Sequence, residues 1–222
     1  MKTSQILCVV LAAALAVVSW QLATKSPEKE ATEQTGDNGG EGRRHGRPSW
    51  NPAFSAIMNR TSCRAFADRL ITEAQIDTLV RAAMAAPTAR NQQPWQIVVV
   101  TDRDMLDSIA KECGNIKMAA EAPVAIVLCG DMKIAREKEA EEFWVQDISA
   151  ASENLLLAAQ SMGLGAVWCG IYPIPDRVKF ITSLLELPAD IIPLNVIPVG
   201  YPKDKLQPKD KYEEDRVHYN TY

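Results

Sequence analysis

The chain has 222 residues, 47% apolar and 23% charged. These are ordinary globular values and exclude a wholly disordered or collagen-like chain. Lys and Arg number 24 against 28 Asp and Glu, a net charge of −4 that argues against a nucleic-acid scaffold but leaves room for a local basic site.

Residues 1–24 read as a signal peptide or membrane anchor. Lys2 is the only charge before Lys25, and Ile6 to Val18 is apolar throughout, the pattern of a secretory leader. Extended to Ala23, the run nears the lower limit of a spanning helix, about 17 residues. Val17-x-Ser19 is the best small-residue pair for cleavage. From Ala23 to Ser49 there is no large apolar residue, so residues 25–49 are expected to be a disordered tether with a reach of roughly 25–30 Å. Arg43, Arg44 and Arg47 near its end suit solvent or anionic lipid. Leader and tether together predict an exported or membrane-anchored protein of the bacterial periplasm or cell envelope. A cytoplasm-facing anchor is the alternative.

Residues 50–222, about 170 in all, suffice for one hydrophobic core. Asn51-Pro52 opens a short helix through Asn59. Thr72 with Gln75 forms a capping box for a helix over Glu73–Ala85, whose Ile76, Leu79, Val80 and Ala83 share one face and which ends before Pro87. Gln96–Thr101 reads as a buried central strand, Asp104–Cys113 as a short helix and Pro123–Cys129 as a second buried strand. Glu137–Met162 predicts the longest helix, stopped by Gly163. Ala166–Cys169 and Ile192–Val199 read as two more strands, with Pro198 near an edge or bend, and Asp176–Leu185 as a helix between them. Helices and strands mix without regular βαβ alternation, which gives an α+β class with a helix-covered sheet.

Common chemistries fail on spacing. Gly163-Leu-Gly165 runs helix, turn, strand, the reverse of a dinucleotide loop. His45 lies in the tether and His218 near the C-terminus, with no CxxC, so no metal is expected. A Gly-x-Ser-x-Gly elbow is missing. Cys129 and Cys169 end strands and read as small core residues. What remains is cationic and amide groups. Arg60, Ser62 and Arg64 alternate, so an extended segment turns them one way, and guanidinium forks with a hydroxyl suit a phosphate. Pro87–Trp95 is a polar loop before a strand, and Lys209-Asp210-Lys211 lies in the polar tail.

In this order the clusters resemble the FMN-dependent nitroreductase superfamily over nearly all of the globular part. NRTSCRAF resembles its Arg-x-Ser-x-Arg opening, and AAPTARNQQPWQIVVV its Pro-Ser-x-x-Asn-x-Gln-Pro-Trp motif. QDISAASENLLLAAQSMGLGAVWCG resembles its long helix, and VGYPKDKLQPKDKY its C-terminal ending. The resemblance implies a central, mainly antiparallel sheet covered by helices, in a homodimer with FMN at the subunit interface. It implies that Arg60, Thr61, Ser62, Arg64, Lys209 and Lys211 hold the FMN phosphate and ribityl chain. Pro87, Thr88, Ala89 and Asn91 would reach the flavin from the other subunit, and Asn115 its pyrimidine edge. Gly170 would offer its backbone N–H to N5, with Trp168 and Cys169 lining that side. The flavin would carry the chemistry, so no catalytic side chain is expected. The implied activity is a ping-pong NAD(P)H oxidoreductase reducing nitroaromatic, quinone or flavin-like acceptors. The alternatives are a flavin carrier without turnover, or a specialised reaction such as reductive dehalogenation.

Overall fold

The computed structural model describes residues 51–137 and 141–222. The leader and tether expected over residues 1–49 lie outside the described residues. Among the described residues no helix is long and apolar enough to cross a membrane.

Helix α1 (Pro52–Asn59) starts where Asn51 Oδ1 accepts the Phe54 N–H at 2.8 Å. Helix α2 (Glu73–Met84) carries the complete capping box, with Gln75 N–H on Thr72 Oγ1 and Thr72 N–H on Gln75 Oε1. Two of the first-turn amides that a helix cannot satisfy internally are thereby closed. Strand β1 (Trp95–Val100), helix α3 (Arg103–Glu112), strand β2 (Val124–Asp131) and the short helix α4 (Met132–Arg136) follow. Helix α5 (Trp144–Ser161) is the longest among the described residues, and Gly163 after it takes φ 71°, a left-handed conformation that glycine enters without a Cβ clash. Strands β3 (Gly165–Ala166) and β4 (Cys169–Gly170), helix α6 (Pro175–Leu184) and strand β5 (Ile191–Gly200) complete the order, and an extended tail ends the chain.

The five strands form one antiparallel sheet in the order β1-β2-β5-β3, with β4 also on β5. The expected α+β architecture is therefore present. Residues Val124 to Gly130 of β2 are all buried, because helices cover both faces of the sheet. On one face Ile126 and Leu128 pack with Leu79 and Ala83 of α2 and Ile148 and Leu155 of α5. On the other, Ala125 and Val127 pack with Leu106 and Ile109 of α3 and Ile181 of α6. Each such Leu or Ile, fully buried, contributes about 1.5–3 kcal/mol.

Four sequence expectations are corrected. Strand β1 is an edge strand rather than a central one: Gln96 is exposed and Val99 is 38% exposed, since an apolar β-branched run fits an edge as well as a centre. The long helix begins at Trp144, after a 3₁₀ turn over Glu141–Phe143, and not at Glu137. The third strand is split in two, and Pro198 lies inside the central strand β5 rather than at an edge. The last two share a cause. Val167 donates to Pro198 O at 3.3 Å, but a proline cannot donate in return, and the ladder breaks there between β3 and β4. Likewise Pro193 faces Cys129 where the β2–β5 register slips.

Candidate active site

Residues 60–66 are tied down on both sides. Arg60 N–H closes α1 on Ala56 O, Cys63 N–H donates to Ala166 O at 3.0 Å, and Lys203 N–H donates to Ala65 O at 3.1 Å. Ser62 bridges to Ala166 and Phe66 to Pro202. Cys63 and Phe66 are buried against Ala122. The close approach requires glycine on the facing strand, because a Cβ at Gly165 would lie 2.6 Å from both Cβ and Sγ of Cys63. The alternation in sequence then leaves polar residues on the open side. Arg60, Thr61, Ser62 and Arg64 line one cavity of about 320 Å³, together with Lys209 and Lys211 from the tail. Four cations and two hydroxyls thus converge, with no carboxylate among the described lining residues. Just outside it, Glu153 of α5 pairs with Arg60 Nε at 3.1 Å.

The edge of the sheet next to this cavity has a regular polarity. Val167 and Ile171 donate to Pro198 O and Leu194 O of β5, so from Gly165 to Ile171 the odd-numbered residues are the hydrogen-bonded ones, and beyond them Tyr172 shares the Leu194 oxygen. In an antiparallel ladder the residues between them turn their N–H and C=O the other way. Ala166 does so, and its C=O takes the Cys63 amide. Gly170, opposite Asn195, does the same four residues further on, about 13 Å at strand rise. A Cβ built on Gly170 would meet nothing within 4 Å. Its C=O accepts from Arg177 Nη1 at 3.1 Å and Asn115 Nδ2 at 3.4 Å. Asn115 keeps Oδ1 buried and without a hydrogen-bond partner. Trp168 is half-buried against the α2/α5 face of the core. Cys169 is buried among the residues of the opposite face, and burial pushes its thiol up to about 11 against the pull of Arg64 and Arg177. Burial raises the Cys129 thiol to about 12. Neither thiol is a nucleophile at neutral pH. Cys63, Cys113, Cys129 and Cys169 are all free.

The loop carrying Pro87, Thr88, Ala89 and Asn91 is fixed by its own bonds. Ala89 N–H donates to the buried Asp147 carboxylate at 2.8 Å, Gln93 N–H to Thr88 Oγ1 at 3.0 Å, and Gln93 Nε2 to Asn91 Oδ1 at 3.0 Å. Gln92 Nε2 reaches Ile134 O and Glu137 O. Arg90, Asn91 and Gln93 have φ near +54°, so the loop carries backbone strain that this bonding must hold. These four residues do not line the cationic cavity of their own chain. Sequence reasoning missed Glu153, Asp147 and Arg177. Glu153 and Asp147 act through contacts distant in sequence, although both stand within the long-helix motif, whereas Arg177 lies outside the recognised motifs and reaches back seven residues to Gly170.

The Nitroreductase family profile matches residues 57–116 and 110–201 of this chain. The chain belongs to the nitroreductase family. A nitroreductase-family protein of Methanothermobacter thermautotrophicus, provisionally named NADH dehydrogenase/NAD(P)H nitroreductase, is 43% identical over 80% of this chain and 91% of its own length. The FMN reductase (NADPH) of Bacillus subtilis is 32% identical over 78% of this chain and 75% of its own. A Parabacteroides distasonis crystal structure with the same provisional name as the first relative has 47% identity and a TM-score of 0.74, covering 78% of this chain and 100% of that one. The family fold is thus complete in that relative without a counterpart of the remaining part of this chain. This overturns the expectation of an exported or membrane-anchored protein of the periplasm or cell envelope, which rested on the leader and tether. No membrane tether follows from the nitroreductase relatives or from the described residues.

Proposed function

We propose that the protein reduces nitroaromatic, quinone or flavin-like acceptors, binding FMN in the cationic cavity and along the adjoining sheet edge, as a homodimer. Its broader class is that of an NAD(P)H-dependent oxidoreductase with FMN as cofactor. The observation that carries the reading is the convergence of Arg60, Thr61, Ser62, Arg64, Lys209 and Lys211 on one cavity. Guanidinium and ammonium donors around a hydroxyl suit a doubly charged phosphate, and the absence of a carboxylate from the lining suits it further. Two features beside the cavity fit a flavin ring. Gly170 has open space before it, and the buried Asn115 Oδ1 lacks a donor that a ring N–H supplies.

In this reading FMN supplies hydride acceptance and electron delivery, and the protein's residues bind and orient. Arg60, Arg64, Lys209 and Lys211 neutralise the phosphate. Gly170 N–H, turned off the strand edge, would offer a hydrogen bond to the ring of a bound flavin, and Trp168 and Cys169 would stand beside it. Pro87, Thr88, Ala89 and Asn91 lie outside their own chain's cavity, and we assign them to the flavin of the second protomer. Apolar residues of α1 support such a pairing: Ile57 is 51% and Met58 39% exposed, and Pro52, Ala53, Ala56 and Ile57 border an apolar groove with Leu157 and Ala158 of α5.

The spectrum of purified protein reconstituted with FMN under anaerobic conditions tests the reading. Flavin absorbance bleached by NADH or NADPH and restored by a nitroaromatic or quinone is the expected result. Colourless folded protein that ignores added FMN overturns it. Bound flavin that NAD(P)H does not bleach marks a carrier instead.

A further inference from the structure

We propose that Arg177 is a positioning residue of the redox site: with Asn115 it holds the Gly170 carbonyl, and its charge behind the strand edge shifts the site's preference toward reduced flavin. The inference rests on the FMN reading above and names a residue that the reading does not need. Gly170 C=O points off β4, so no strand satisfies it, and two side chains from separate elements do. Arg177 Nη1 comes from the first turn of α6 at 3.1 Å, and Asn115 Nδ2 from the segment after α3 at 3.4 Å. Carbonyl and N–H of Gly170 share one side of the strand, so fixing the first orients the second.

The placement of Arg177 is otherwise unfavourable. A cation in the first turn of a helix opposes the positive end of the helix dipole, where acids are favoured. It is half-buried, and among the described residues no carboxylate lies within ion-pair distance of it. Its charge opposes the effect of burial on Cys169 of β4 and on Cys113 at the end of α3. Glu112 and Asp176 line the same cavity as Arg177 without pairing to it, so a cation only loosely screened by carboxylates stands close to the Gly170 peptide and acts on whatever charge develops there. Hydride transfer from NAD(P)H brings two electrons and one proton, releases NAD(P)+ and leaves the acceptor ring one unit more negative. Arg177 stabilises that added charge through a partly dry path, where screening by water and salt is weak.

The test compares wild type, Arg177→Met and Arg177→Lys as FMN holoproteins. FMN affinity is read by flavin fluorescence and the midpoint potential by equilibration with a reference dye. Arg177→Met should bind oxidised FMN nearly as wild type does but lose about tenfold in relative affinity for reduced FMN, a fall of about 30 mV for this two-electron couple. Arg177→Lys, which keeps the charge, should retain most of the wild-type potential. If Arg177→Met does not fold, Arg177→Gln takes its place, with the same shift expected. An unchanged potential in the uncharged variant, or an equal fall in Arg177→Lys, overturns the inference while the FMN reading stands. Wild-type protein that binds no FMN overturns both.

Discussion

Arg60 meets Glu153 through Nε while lining the cavity, and Arg64 lines the same cavity with its charge reaching Cys169. The two arginines are therefore not equivalent. Arg60 has a carboxylate that holds it in place, whereas among the described residues Arg64 makes no ion pair. Replacing Arg64 by Ala should weaken FMN binding by roughly tenfold or more, the worth of one charge-assisted hydrogen bond. The loss should shrink as salt is raised, and a fluorescence titration at two ionic strengths reads both effects. The buried thiols make a second prediction. Cys129 and Cys169 have folded-state values of about 12 and about 11, above the ordinary 9.0 of an unfolded thiol. The folded state holds these protons when the unfolded state has released them. Their contribution is complete below about pH 9 and declines as pH rises from there toward 11 and 12. Urea unfolding under reducing conditions should show lower stability at pH 10.5 than at pH 8, and Cys129→Ala should flatten that slope.

At the scale of elements, the cavity depends on how closely the 60–66 segment lies on β3. Gly165→Ala drives a methyl into Cys63, and overpacking of that kind costs about 1–3 kcal/mol. The variant should both unfold at lower urea and bind FMN less tightly, since the displaced segment carries four of the six cage residues. Thr72→Ala removes one half of the capping box far from the cavity, costs about 1 kcal/mol and should leave FMN affinity unchanged. The pair separates a local helix effect from a site effect. This contrast also marks what could be read from the sequence. The capping box, the β-branched strands and the Arg60/Ser62/Arg64 alternation are local patterns, and each determines its structure within a few residues. The edge position of β1 was not legible, because its run Gln96–Val100 is as apolar as a central strand. Nor was the split between β3 and β4, which follows from Pro198 thirty residues away. Arg177 was hidden for a different reason: it is only seven residues from Gly170 but meets it across a turn that no spacing rule encodes.

At the scale of the whole molecule, α1 has no buried residue although its sequence is PAFSAIMN. A helix with such an apolar surface gains stability only if something covers it, and a second copy of this chain is the occupant assigned above. Ile57→Glu should therefore shift the protein from dimer to monomer in size-exclusion chromatography with light scattering. FMN affinity should fall with it, because the second protomer's loop is then missing. The cage has one more consequence. Its two halves, Arg60–Arg64 and Lys209–Lys211, come from opposite ends of the described chain, so in the proposed reading a bound phosphate would act as a clasp that closes the polypeptide into a ring. The largely exposed segment from Lys203 onward, which Leu206 ties to the core, would gain a further fastening from the ligand. Carboxypeptidase should nibble past Lys211 in the empty protein and halt before it once the clasp is shut.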